Sequence, residues 1–323
     1  MTPSVETGWV SRMQMLNRFF IGCLLLAALV GHTTIAAAQR TDTTHAWTAV
    51  ETALGRTGAL QPGGVIRFGF PRSDLTVTLD GITLKPALAL GGWLAFKLLP
   101  ANSALVMGDL VLTEKEIPRV MRELQSGGVE QTALHNHLLG ETPHVMYMHV
   151  MARGNPTAIA ATVRRALSQT NTPMPSAAAP GQPTTVPAAA PNPTDLDTAR
   201  IARTLGASGR LNGVVYQVSV PRKERITMLG EEIPPSMGVA TAINFQPTGG
   251  GKAAITGDFV LRDAEVRPVM RALRAGGIEI TALHSHMIDE QPRLYFMHFW
   301  ANDDARKLAE GLKAGLDKVS RPK

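Results

Sequence analysis

The stretch "TALHNHLLGETPHVMYMHV", residues 132–150, holds four of the chain's nine histidines. His135 and His137 stand two residues apart, and His149 follows a turn signal at Gly140–Pro143. Alternate residues of a strand point to one face, so an H-x-H pair presents both imidazoles together. A hairpin folding at the turn then sets the returning histidine opposite them. Three imidazole nitrogens with a fourth position open form the ligand set of a catalytic zinc ion, which polarises a carbonyl or activates a water. Glu141, at the turn, is placed to be a further ligand or the acid–base partner of such a site. Residues 281–299, "TALHSHMIDEQPRLYFMHF", repeat the pattern with His284, His286, His298 and Glu290 at the matching positions.

Histidines on a half-exposed strand are commonly surface residues, and a duplication carries residues forward without any function. The substitutions between the copies argue against that reading. All three histidines persist where half of their neighbours changed, whereas His144 became Arg293. Glu130 and Glu279 precede the H-x-H pairs by an odd number of residues and face the other side of the strand. His45 has no counterpart in the second copy and reads as structural. Methionines also crowd the hairpins (Met146, Met148, Met151, Met287 and Met297), and thioethers bind Cu(I). Met146 and Met148 differ in parity from His149, and methionine more often fills cores, so copper ranks behind zinc.

The elements that must carry these residues come from a duplication. Residues 108–151 align without a gap to residues 257–300, with identity at 21 of 44 positions. Between the copies, "QTNTPMPSAAAPGQPTTVPAAAPNPTD" (169–195) has seven prolines and little charge, the composition of an extended linker. In the second copy, "DTARIARTLG" reads as a short helix stopped by Gly206. "GVVYQVSVPR", "GVATAINFQP" and "KAAITGDFVL" read as strands. "RDAEVRPVMRALRAGG" spaces Val266, Val269, Met270 and Leu273 on one helical face and stops at Gly276. "IEITALHSHMI" and "RLYFMHFWA" form the final hairpin, with a turn at Asp289–Pro292. A closing helix over 303–318 is capped by Asn302 or Asp303, as Asn155 caps its counterpart. The fold class is α+β: two homologous domains, each a mostly antiparallel sheet with flanking helices and a histidine-bearing C-terminal hairpin. Whether the two repeats pack on each other is open at this level.

The N-terminus reads as a secretory signal over residues 1–38. Arg12 and Arg18 precede the apolar run "FFIGCLLLAALVG", and cleavage is expected after Ala38. The run is too short to span a bilayer, so the mature chain carries no transmembrane segment and is periplasmic or secreted. The lone Cys23 lies inside the run with too few apolar residues before it for a lipid anchor. The mature protein then has no thiol, which excludes disulfides and cysteine nucleophiles and leaves metal binding to His, Asp and Glu. The first repeat spans 39–168 and the second 196–323. Hydrophobic residues at 44% and charged residues at 18% place the chain among globular proteins. No basic run interleaved with aromatics is present, which argues against nucleic acid as a partner.

Both copies of the 108–151 block resemble the LppY/LpqO family of exported bacterial proteins, a domain of unknown function. That resemblance implies export and a duplicated domain. More distantly, H-x-H followed by a histidine on a β-hairpin is similar to the zinc triad of acetolactate decarboxylases, of a metal-binding ester-hydrolase-like family and of the plant-and-prokaryote conserved domain. The resemblance makes His135, His137 and His149 one triad and His284, His286 and His298 another. Those hairpins carry Gly-Gly before the last histidine, where this chain has Tyr147-Met148 and Phe296-Met297. A first cupin motif is also similar, but the helix ahead of the hairpin argues against an all-β barrel.

These readings converge on an exported metal protein with a three-histidine site in each repeat. It is expected to act as a zinc-dependent hydrolase or lyase on a small carbonyl or ester compound whose identity is open. The alternative is a non-catalytic envelope-binding or metal-carrier module for zinc or copper.

Overall fold

In the computed structural model, which describes residues 45–174 and 194–322, each repeat folds into one six-stranded antiparallel sheet. The proposed signal (1–38), Cys23 and most of the linker (175–193) lie outside the described residues. The first sheet contains β1 (Ala59–Gln61), β2 (Val65–Pro71), β3 (Gly91–Leu99), β4 (Ser103–Thr113), β5 (Glu130–His135) and β6 (Val145–Gly154). Its order is β1-β2-β3-β4-β6-β5. The second contains β7 (Gly209–Asn212), β8 (Val215–Pro221), β9 (Ala240–Gly249), β10 (Lys252–Leu261), β11 (Glu279–His284) and β12 (Tyr295–Asp304). The same order recurs, with β12 between β10 and β11. The histidine strands therefore lie at one side of each sheet, and the last strand is paired on both edges.

Each sheet has helices on one face. In the first repeat these are α1 (Ile117–Ser126) and α2 (Pro156–Leu167); in the second, α3 (Thr198–Leu205), α4 (Asp263–Ala275) and α5 (Ala305–Leu316). The apolar stripe read from α4 packs as expected, with Val269 and Leu273 buried and Val266 and Met270 against the same core. Gly206 ends α3 in the left-handed region at φ 69°, a conformation glycine adopts without a Cβ clash. Asn155 caps α2 by accepting from the Ala158 N–H. The cap of α5 is a correction: Asp304, not Asn302 or Asp303, accepts from the Lys307 N–H, because β12 runs through residue 304 before the helix begins.

The other face of each sheet meets the other repeat. Along β10 the odd-numbered Ala253, Ile255, Phe259 and Leu261 pack under the helices, whereas the even-numbered Ala254 and Val260 join cores shared with the first repeat. On β12, Met297 and Phe299 face the helices, while Phe296 and Trp300 face the partner repeat. Two such shared cores flank the middle of the interface. One sets Met107 and Met151 against Met237, Met287 and Phe296, and the other sets Leu88, Leu138 and Tyr147 against Ala254 and Trp300. Fully burying a leucine or phenylalanine stabilises by roughly 1.5–3 kcal/mol, so these cores fix the two repeats on each other. Among the described residues, no helix is long and apolar enough to cross a membrane.

A buried ion cluster recurs in both repeats and ties helix to sheet. Arg72 donates to Glu116 at 2.8 Å and to the Val111 carbonyl at 2.8 Å, while Arg222 donates to Glu265 at 2.7 Å and to the Val260 carbonyl at 2.7 Å. Both arginines are about fully buried, with bidentate carboxylate partners that also accept backbone N–H groups.

Candidate metal centre

The parity that turns Phe296 and Trp300 toward the partner repeat also turns His298 there. His149 takes the matching place on β6. His135 and His284 end their strands, but His137 and His286 lie past the strand ends, in the connections to β6 and β12. The expected strand alternation therefore does not place those two; the local course of the connection does.

The two triads are one cluster. His135 lies tilted against His284 with ring centroids 3.6 Å apart, while His137 stacks on His298 at 3.8 Å and His149 on His286 at 3.6 Å. The second and third pairs exchange under the offset relating the copies, and the first maps onto itself, so a pseudo-twofold axis passes between His135 and His284. The interface between the repeats brings all six imidazoles together, so the two expected triads lie side by side rather than far apart. Two sets of ligand nitrogens lie within 4.8 Å of one another, His135/His284/His286/His298 and His135/His137/His149.

Threonines at matching β-bulges hold the halves together. The register of β5 on β6 slips at Thr132, and that of β11 on β12 slips at Thr281. A bulge re-aims its side chain, and here each hydroxyl crosses to the other repeat. Thr132 donates to the His286 carbonyl at 2.6 Å, and Thr281 donates to the His137 carbonyl at 2.5 Å. Asn136 adds a bond from its amide to the Thr281 carbonyl at 3.2 Å.

The protonation chemistry suits a cation guest. All six Nε2 atoms are buried and have no hydrogen-bond partner. The opposite ring nitrogens of His135 and His298 contact the Asn136 and Gly257 carbonyls, each at 3.0 Å, an arrangement in which Nδ1–H donates and the Nε2 lone pair is free. Burial, with the neighbouring His284 imidazole, pushes His135 down to about 3. Burial also pushes His284 down to about 4 and holds His137, His149, His286 and His298 well below the usual imidazole range. Neutral imidazoles with orphaned, convergent lone pairs are the form in which histidine binds zinc, copper or iron. Leaving six such atoms unpaired costs about 1–3 kcal/mol each, which a bound ion offsets.

Two carboxylates that the sequence reading passed over stand beside the imidazoles. Asp109 lies opposite His149 across β4 and β6, and Asp258 lies opposite His298 across β10 and β12. Asp109 Oδ2 is 3.8 Å from Nε2 of both His137 and His149. Burial, then the charge of Asp258, raises Asp109 to about 8, and burial raises Asp258 to about 7. The available signal was the "GD" dipeptide that opens both copies of the aligned block. Its glycine has a packing role: a Cβ on Gly257 would fall 1.9 Å from the Ala242 carbonyl oxygen.

Glu141 and Glu290 stand at the hairpin connections. Glu141 Oε1 accepts from the Val145 N–H at 3.3 Å and Glu290 Oε1 from the Leu294 N–H at 2.9 Å, while the second oxygen of each is buried without a hydrogen-bond partner. His144 pairs with Glu141 at 2.8 Å, and Arg293 pairs with Glu290 at 3.5 Å. The exchange of His144 for Arg293 therefore keeps a nitrogen-bearing partner on the turn glutamate and leaves the imidazole cluster untouched. His45 is exposed and outside the cluster.

No protein of curated function matches the chain. Among solved structures, a trimeric bacterial microcompartment shell protein PduB matches at 12% identity and a TM-score of 0.20, over 81% of this chain and 89% of that one. EtuB from Clostridium kluyveri matches at 11% identity and a TM-score of 0.18, over 80% and 90% of the two chains. A family model described as Domain of Unknown Function (DUF1259) matches residues 48–169 and again 199–318, each match covering one sheet with its histidine hairpin, and the chain belongs to that family.

Proposed function

We propose that this protein is an exported metal protein whose two repeats build one polyhistidine centre, with zinc as the resident ion, and that the centre acts as a hydrolase or lyase on a small carbonyl or ester compound. The observation that carries the reading is the set of six buried Nε2 atoms, drawn from both repeats, that have no hydrogen-bond partner. Zinc held by imidazoles supplies a Lewis acid for a carbonyl oxygen. The chain's own residues do the rest. Thr132 and Thr281 keep the histidine connections in register. Glu141 and Glu290, each with one buried oxygen that has no hydrogen-bond partner, are the groups assigned to move a proton. Export is supported by the signal pattern of residues 1–38 and by the likeness to the exported LppY/LpqO proteins.

The test is elemental analysis of the full chain, purified without chelator or histidine tag, beside the variant His135→Ala/His284→Ala. Zinc retained by the wild type and reduced in the variant supports the centre. Absence of metal from both, with no uptake of added zinc or copper, overturns it. Turnover on a panel of small esters and β-keto acids, lost in Glu290→Gln while metal is retained, supports the catalytic part; turnover unchanged in that variant refutes the proton role.

A second reading, a soft-metal carrier without chemistry, has its own observation. Met107, Met151, Met237 and Met287 line a small cavity of about 10 Å³ together with His149 and His286. Thioether and imidazole donors together suit Cu(I), and preferential retention of copper with no turnover would favour this reading.

A further inference from the structure

The six imidazoles are related by a pseudo-twofold axis, but the carboxylates beside them do not obey it. Asp258 Oδ1 accepts from the Ala242 N–H at 3.3 Å, so its charge is engaged by the backbone of β9. Asp109 Oδ1 is buried without a partner, and Oδ2 sits equidistant, at 3.8 Å, from Nε2 of His137 and His149. Asp109 is only 6% exposed. The nearby Arg67 does not neutralise it by a direct bond: its guanidinium donates to the Ser236 carbonyl at 2.8 Å and stacks on Trp93 at 4.0 Å. A tetrahedral ion with bonds of about 2.0–2.1 Å holds its ligand atoms about 3.4 Å apart, so each Asp109–imidazole distance needs to close by only about half an ångström to grip one.

Resting on the reading that the imidazoles bind metal, we propose that the centre holds two ions in unlike positions. One is an all-imidazole position formed by His284, His286 and His298 with His135. The other is formed by His137, His149 and the carboxylate of Asp109. Two imidazoles and one carboxylate leave coordination positions open and suit a divalent first-row metal such as Fe(II), Mn(II) or Zn(II), whereas four imidazoles close a site. The open position is then the one that meets an oxygen-donor substrate, and the closed one holds the two repeats together.

The test is titration of the metal-free full chain with Co(II), followed by visible absorption and by metal content after gel filtration. The wild type is expected to take two equivalents, one with the intense bands of a four-coordinate imidazole site and one with the weak bands of a higher-coordinate site. Asp109→Asn, which preserves shape, should take one equivalent and keep only the intense bands, and His137→Ala should do the same. Asp258→Asn should still take two. Near-UV circular dichroism of each metal-free variant, matching wild type, shows that the fold is retained. Two equivalents in Asp109→Asn, a single equivalent in the wild type, or loss of an equivalent in Asp258→Asn would each overturn the unlike pair while leaving a metal centre standing. No cobalt in the wild type would instead remove the centre itself.

Discussion

Replacing His286 by leucine distinguishes a ligand from a structural polar residue, because the two roles move stability in opposite directions. His286 is 6% exposed, its Nε2 has no partner, and its ring lies between His149 and Phe296 with centroids at 3.6 Å on each side. Without metal, leucine removes a buried unpaired nitrogen that costs about 1–3 kcal/mol and adds apolar burial. Against this stand two ring contacts of about 0.5–1.5 kcal/mol each. The balance is a metal-free variant about 1 kcal/mol more stable than wild type, a rise of about 2 °C in a chain of this size. With zinc the order reverses. Free zinc at about 100 times Kd stabilises by about 2.7 kcal/mol. Losing a ligand weakens affinity by more than the 10–100-fold typical of outer partners, and a 100-fold loss leaves only about 0.4 kcal/mol at that position. Calorimetric scans of both proteins, with chelator and with zinc, should show the variant melting higher in chelator and its zinc-induced shift cut by at least half. A variant that melts several degrees lower in chelator and keeps the full zinc shift would refute the reasoning and make His286 part of a structural network.

Three further expectations follow from the same geometry. Arg222→Met should strand the Glu265 carboxylate among backbone donors and lower stability by about 3–5 kcal/mol in urea unfolding; a change below about 1 kcal/mol would mean the cluster is dispensable. Thr281→Val should remove the 2.5 Å bond to the His137 carbonyl and weaken zinc by about 10–100-fold in chelator competition with the fold intact, whereas unchanged affinity would show that the cross-repeat bond does not position the site. The metal-free protein should lose stability on acidification. His135 and His284 are pushed down to about 3 and about 4, below the ordinary imidazole value of about 6.5, so their contribution is complete above about pH 6.5 and is lost as pH falls toward those values. Asp109 and Asp258, raised to about 8 and 7, act oppositely, contributing fully only at low pH and losing it as pH rises to 7–8. Six imidazoles outnumber two carboxyls, so between pH 6.5 and 4 the net slope is about 1.4 kcal/mol per pH unit for each proton in excess, and a flat denaturation profile across that window would contradict it.

The duplicated α+β repeat was readable because a gapless alignment fixes equivalent elements, and because period-two and period-3.6 patterns separate strands such as Val215–Pro221 from the helix Asp263–Ala275. The histidines were readable for a different reason: they persist where Asn136 became Ser285 and His144 became Arg293. What periodicity does not encode is which face of a sheet meets a second sheet. Val260 and Phe259 are equally apolar, yet one faces the first repeat and the other the helices, and only that choice merges two triads into one cluster. Asp109 and Asp258 escaped notice because an isolated acid after a glycine ordinarily signals a turn or strand end, and their burial is a property of the interface. Thr132 and Thr281 escaped because a bulge leaves no mark in a side-chain alternation that has already been broken.

The central claim is that imidazoles from both repeats ligate metal at one place. Its most direct test is anomalous diffraction at the metal edge from crystals of the zinc-loaded full chain. The expected result is metal density beside His135 and His284, with first-repeat and second-repeat imidazoles both within bonding distance of one ion. Metal density in which no ion is bound by imidazoles of both repeats, or which lies away from the six histidines, would contradict it.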